Sequence, residues 1–216
     1  MSVDKFSFKI AKAEFVVSAT QAEHFPPALL PEVAFVGRSN VGKSSLLNML
    51  TGNSKLARVS RTPGRTRLIN FFEVGISRGL KKYSLRLVDL PGYGYAKASK
   101  ADMKLFRQML HGYLQRGPCL KLIVWLVDAK VGVTAADWEI LEVLEESPAR
   151  LLLVATKTDK LPKTRRRLQL EGIAKALSLP MEAVFAVSAK EKLGFSPLWE
   201  SILQASAASD RGCLKG

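Results

Sequence analysis

Directly after the apolar run Val33-Ala34-Phe35-Val36, the chain reads Gly37-Arg38-Ser39-Asn40-Val41-Gly42-Lys43-Ser44, a Gly-x-x-x-x-Gly-Lys-Ser spacing that leads into an amphipathic stretch at 43–51. No other feature narrows the fold so far. A strand, a glycine-bearing turn and a helix in that order make a loop whose backbone amides converge on phosphate oxygens, with the helix dipole behind them. Lys43 then reaches the outer phosphates, the Ser44 hydroxyl suits a magnesium ion, and Ser45 belongs to the same first turn. The plain alternative is a coincidental glycine turn, which gives no reason for the flanking strand and helix.

The rest of the chain keeps that alternation. Apolar, β-branched runs at 33–36, 69–74, 85–90, 122–127, 151–155 and 184–187 predict six strands. Helical patterns fall between them at 43–51, 100–116, 134–146, 164–178 and 196–206, with Thr134 as a candidate N-cap and Pro162 and Pro197 near two helix starts. An α/β fold follows: a six-stranded, mostly parallel sheet with helices on both faces, in three layers. Only Ser77-Arg78-Gly79-Leu80-Lys81-Lys82 separates two successive strands, so that hairpin predicts one antiparallel edge strand. With 216 residues and 47% hydrophobic content, one domain is expected over 31–205. Residues 1–30, whose short alternating stretch at 13–18 is followed by Pro26, Pro27 and, at the boundary, Pro31, read as an extension packed on it; 206–216 read as a flexible tail.

Cys119 and Cys213 lie far apart without a Cys-x-x-Cys spacing, which argues against a disulfide framework or a zinc site. With no apolar run of membrane-spanning length, a cytoplasmic protein without membrane association is expected. The net charge of +14 stands out. It fits a polyanionic partner, and it equally fits a surface kept solvated by lysine and arginine.

Asp89-Leu90-Pro91-Gly92 closes the third run. There a carboxylate can hold magnesium, usually through water, while the Gly92 amide can touch a γ-phosphate and sense its loss. On its own the pattern is weak, because an aspartate closing a strand is often a turn cap. At the end of the fifth run stands Thr156-Lys157-Thr158-Asp159, which resembles the Asn-Lys-x-Asp guanine-specificity motif of the GTPase superfamily, with threonine in the first place. That likeness implies hydrogen bonds from guanine N1 and N2 to Asp159 and packing of the Lys157 stem over the base. Adenine would leave the carboxylate unpaired, at a cost of several kcal/mol. After the sixth run, Val187-Ser188-Ala189-Lys190 is similar to the Ser-Ala-Lys motif whose backbone amide contacts the guanine oxygen.

The wording of Gly37 through Asn48, of Thr62-Pro63-Gly64-Arg65-Thr66, of Leu68-Ile69-Asn70-Phe71-Phe72 and of Asp89-Leu90-Pro91-Gly92-Tyr93-Gly94-Tyr95-Ala96 is similar to that of the bacterial EngB (YihA/YsxC) GTPases, a branch of the TrmE–Era–EngA–YihA–septin-like class. The resemblance implies a Ras-like P-loop GTPase domain that hydrolyses GTP to GDP, with magnesium held by Ser44, Thr66 and Asp89. It implies a switch I segment at Gly64, Arg65, Thr66, Arg67 and Leu68, and a role in assembly of the large ribosomal subunit and in normal cell division and septation. Ribosomal RNA then becomes the natural anion for two basic clusters, Lys55, Arg58, Arg61, Arg65 and Arg67, and Lys163, Arg165, Arg166 and Arg167. A monomer is expected.

Lys43 and Thr66 are the candidate catalytic residues. Tyr93 stands where Ras-like GTPases carry a glutamine that orients water, so intrinsic turnover should be slow. Asn40 is the third catalytic candidate, because potassium-activated members of the class place an asparagine there on a monovalent cation; the competing account is that asparagine tolerates the loop's backbone geometry. Tyr93 and Tyr95 could stack on bases or be buried beside the switch helix. Two other readings remain: a P-loop nucleotide kinase, for which no acceptor site or lid is evident, and a nucleotide-gated binding module with negligible turnover.

Overall fold

The computed structural model describes residues 8–57, 68–94 and 100–207. In chain order its elements are β1 (Lys9–Ala19), β2 (Glu32–Gly37), α1 (Lys43–Thr51), β3 (Ile69–Arg78), β4 (Lys81–Asp89), α2 (Lys100–Leu114), β5 (Leu120–Asp128), α3 (Ala135–Glu145), β6 (Arg150–Thr156), α4 (Lys163–Ala176), β7 (Val184–Ala186) and α5 (Phe195–Ala207). They build one sheet in the order β1-β3-β4-β2-β5-β6-β7. From β4 to β7 every neighbouring pair is parallel, whereas β3 runs antiparallel to both β1 and β4.

Two expectations need correction. The sheet has seven strands, not six, because the stretch around 13–18 belongs to an eleven-residue strand that pairs with β3, with Phe15 opposite Phe72. The antiparallel strand predicted from the hairpin exists, but β1 covers it, so it is not the edge. The cause lies in two irregularities, between Ile10 and Lys12 and between Phe15 and Val17. Each inserts an extra residue and resets the two-residue period by which a strand is recognised. Phe15 and Val16 are accordingly both exposed on the outermost strand.

Alternation along the central strands divides the core into two layers. Ala34, Val36, Val88, Ile123, Trp125, Val127 and Leu153 face α2, α3 and α4 through Leu110, Ile140 and Ile173. Val33, Phe35, Leu85, Leu87, Val124 and Val154 face α1 and α5 through Leu46, Leu50, Trp199 and Ile202. Helices therefore cover both faces, as the unbroken apolar runs required. Thr134 caps α3 in a reciprocal capping box with Asp137, which explains why that helix starts where its periodicity does. α2 stops at Leu114, two residues short of the sequence estimate, and Gly117 and Pro118 turn the chain into β5.

At the amino ends of the strands, away from the loops described next, the fully buried Glu32 accepts hydrogen bonds from Arg86 (2.9 Å), Arg116 (3.1 Å) and the Tyr113 hydroxyl (3.1 Å). Burial, reinforced by the Glu32 carboxylate, raises the Tyr113 pKa well above its ordinary value.

Candidate functional site

The carboxyl ends of β2, β4, β5, β6 and β7 gather the candidate residues at one end of the sheet, where an open α/β sheet binds its ligands. Gly37 closes β2. Arg38, Ser39, Asn40 and Val41 then turn the chain, with Val41 N–H donating to the Arg38 carbonyl at 3.0 Å, and Gly42 enters α1 at φ 107, a conformation that a side chain would strain. α1 has no side-chain cap, so its first amides are free of a side-chain partner. Lys43 and Ser44 are half-buried in its first turn, and Ser45 is exposed.

The Lys43 ammonium contacts Asp89 Oδ1, and both side chains are about nine-tenths buried. This joins the two sequence motifs directly: a cation from α1 and a carboxylate from the end of β4 share one spot. Leu90 packs in the core and Pro91 is half-buried. Gly92 passes so close under the turn that a Cβ there would lie 2.9 Å from both the Ser39 nitrogen and its Cα. Ser39 N–H donates to the Tyr93 carbonyl at 2.8 Å and Tyr93 N–H to the Gly37 carbonyl at 3.4 Å, so the two loops are laced together like strands.

Tyr93 itself is 2% exposed. Its hydroxyl donates to Asp137 Oδ1 at 2.7 Å and accepts from Trp125 Nε1 at 3.0 Å. Burial and the Asp137 carboxylate raise its pKa. Of the two accounts the sequence allowed for this ring, burial holds and base stacking does not; Tyr95 lies outside the described residues.

At the ends of β6 and β7, Thr156 Oγ1 donates to the Val41 carbonyl at 2.6 Å. Lys157, at φ 57, extends its ammonium to the Asn40 carbonyl (2.5 Å) and to Asp128 Oδ2 (2.6 Å). The Thr158 hydroxyl donates to the Val187 carbonyl at 3.0 Å, and Ser188 Oγ donates to Asp159 Oδ1 at 2.7 Å. Ala189 follows in the half-buried turn, while Val187 packs its side chain in the core. Asn40 sits at φ 63, as expected of a residue chosen for the loop's geometry.

Sequence reading missed Asp128, although an aspartate closing an apolar run is the same signal that singled out Asp89. Asp137 was also missed as a partner of Tyr93, because the pairing joins residues 44 apart. Gly64, Arg65, Thr66 and Arg67 lie outside the described residues; Leu68 is half-buried just before β3. In the second basic cluster Arg166 pairs with Glu191 (3.3 Å) and Arg167 with Glu171 (2.8 Å), which leaves Lys163 and Arg165 as the exposed cations without an ion pair among the described residues.

The Ser44 hydroxyl, next in sequence to Lys43, and the Asp89 carboxylate in contact with the Lys43 ammonium are hard oxygen donors. That set suits magnesium, which takes one or two protein oxygens and completes its shell with phosphates and water. No group of three or more His, Cys, Asp or Glu among the described residues could hold a metal alone.

A family profile described as "50S ribosome-binding GTPase" matches residues 32–157, from the first residue of β2 to the lysine that follows β6. A probable GTP-binding protein EngB of Myxococcus xanthus is 46% identical over 203 residues, covering 94% of this chain and 98% of that protein. One from Geobacter metallireducens is 44% identical over 90% of this chain and 92% of its own. Among solved structures, a probable GTP-binding protein EngB aligns with 82% of this chain and 99% of its own at a TM-score of 0.61 and 23% identity, a likeness of fold. Era in complex with MgGDPNP and nucleotides 1506–1542 of 16S ribosomal RNA aligns over 82% of this chain and 56% of its own at a TM-score of 0.63 and 27% identity. With a profile spanning more than half of its length and relatives above 40% identity along nearly all of it, the chain belongs to the EngB family of GTP-binding proteins and is a GTPase.

Proposed function

We propose that the chain is a magnesium-dependent switch whose GTP form docks on the large ribosomal subunit or its precursor and whose hydrolysis of GTP to GDP releases it, in the service of subunit assembly and, through that, of normal division and septation. The observation that carries this reading is the meeting of Lys43 and Asp89 beside a base-side turn that Thr156 and Lys157 bind to the same loop. Main-chain amides of 37–44 receive the phosphates and Lys43 neutralises the outer ones. Ser44, Asp89 and Thr66 hold the magnesium, which when bound offsets the phosphate charge. Asp159 selects guanine, Lys157 covers it, and the Ser188–Ala189 turn meets its oxygen.

Two features support an RNA partner. α4 opens on Lys163, Arg165, Arg166 and Arg167 with no acid in its first turn, although the helix dipole disfavours cations there. A solvating surface would have no reason to crowd charge at that end; a phosphate backbone would. The ribosome-binding description of the matching family profile points the same way.

Sedimentation with large subunits tests the reading. Co-sedimentation with a non-hydrolysable GTP analogue and not with GDP is expected, weakening steeply with salt, and charge reversal at Lys163 and Arg165 should reduce it without changing GTP affinity. Binding indifferent to nucleotide and to salt would overturn it. Potassium on the Asn40 side chain would supply the positive charge that an arginine finger provides elsewhere; turnover should then rise in potassium over sodium, and Asn40→Ala should abolish the difference.

A further inference from the structure

Tyr93 is held at both ends. Its main chain is laced to Gly37 and Ser39, and its ring crosses into the layer between the sheet and α2–α3, where Phe106 packs against it at 5.7 Å between ring centres. There the hydroxyl meets Asp137, which is fully buried and whose other oxygen accepts from Thr134 N–H (2.8 Å) and Thr134 Oγ1 (2.6 Å). One carboxylate therefore caps α3 and holds the residue that follows Gly92. A buried phenol is costly unless both its donor and acceptor roles are filled, and here Asp137 and Trp125 fill them.

We propose that Tyr93 is a positioning residue for triphosphate recognition: the bond from its hydroxyl to Asp137 holds the Gly92 main chain against Ser39, where the Gly92 amide meets the outermost phosphate. This rests on the reading of Gly92 as the γ-phosphate contact. The residue that stands in the water-orienting position is thus turned away from the reacting atoms and acts through its neighbour. Space sets the tolerance of the arrangement. With Gly92 too close to Ser39 to admit a methyl group, a slack latch cannot be absorbed by a small shift towards the loop and must move the amide away.

The test is calorimetric titration of the full chain with magnesium and either GDP or a non-hydrolysable GTP analogue. Tyr93→Phe should lower affinity for the analogue by roughly fivefold to tenfold, the equivalent of one hydrogen bond, while GDP affinity stays unchanged. Asp137→Ala, which cuts the same bond from the α3 side, should shift the ratio in the same direction, and the double variant should add little to either change. Thr134→Ala weakens the cap and keeps the latch, so it should lower the melting temperature and leave the ratio alone. Equal losses for both nucleotides, or no loss, in both Tyr93→Phe and Asp137→Ala would overturn the proposal. Gly92→Ala separates the two readings. A collapsed analogue preference in Gly92→Ala with a normal ratio in Tyr93→Phe refutes the latch alone, and an unchanged preference in Gly92→Ala refutes the phosphate contact and the latch together.

Discussion

Thr156 Oγ1 donates to the Val41 carbonyl across 115 residues of sequence, so the turn after β6 and the glycine-bearing loop after β2 share a buried hydrogen bond. An asparagine is the usual residue of the motif at this position, and threonine supplies a donor on a shorter stem. Thr156→Val keeps the shape and removes the donor, leaving the Val41 carbonyl unpaired. Affinity for GTP and GDP should fall together, by about 1–2 kcal/mol in binding free energy, with guanine preference intact. Titration with GTP, GDP and ATP checks it; a change in base preference would assign Thr156 a direct part in reading the base.

Asp159→Asn should move preference from GTP toward xanthosine triphosphate, since the new amide donates to the xanthine 2-oxo group. The turn should survive, because the asparagine oxygen can still accept from Ser188 Oγ. Competition between the two nucleotides measures it. Unchanged GTP preference would place Asp159 outside the site.

Legibility in the sequence followed the range of the interactions involved. The turn from Gly37 to Ser44 could be read because its shape is set by its own backbone and the helix that follows, and the bounds of α1 were read correctly, at 43–51. Thr134 as the N-cap of α3 was legible for the same reason. β1 was not, because its bulges break the only local signal a strand carries. The Lys157–Asp128 and Tyr93–Asp137 pairs were hidden because no local rule says which distant carboxylate a side chain will meet.

Glu32→Ala should destabilise the fold by about 1–3 kcal/mol, since it takes a shared buried acceptor from Arg86, Arg116 and Tyr113, although Arg86 keeps Glu73 and the Pro27 carbonyl. Glu32→Gln keeps an acceptor and should cost less. Denaturant melts of the two variants, fitted with a common slope, give the order; equal stability of Glu32→Ala and the parent would deny the cluster its structural part.

Stability should fall at alkaline pH. Tyr93 and Tyr113 both have raised pKa values, so above about pH 10 the unfolded chain loses protons that the folded chain retains, and stability decreases as pH rises. Below that pH both states keep the protons and the contribution is constant. Two such groups give a slope of about 2.7 kcal/mol per pH unit in the alkaline window. Tyrosinate absorbance from these two rings should appear with unfolding; its full development near pH 10 with the fold intact would contradict their burial.

Of the seven strands, the one made earliest has to wait for its partner. β1's neighbour in the sheet is β3, and their register joins Lys9 to Ser77 and Ala19 to Ile69. At about 5–20 residues per second, roughly 3–12 s of synthesis separate the two strands. During that interval a segment carrying Phe15, Val16 and Val17 has no partner from its own chain. Lys9, Lys12 and Glu14 along the same strand then guard the nascent protein against pairing with its neighbours, a task they also perform at the finished sheet's rim.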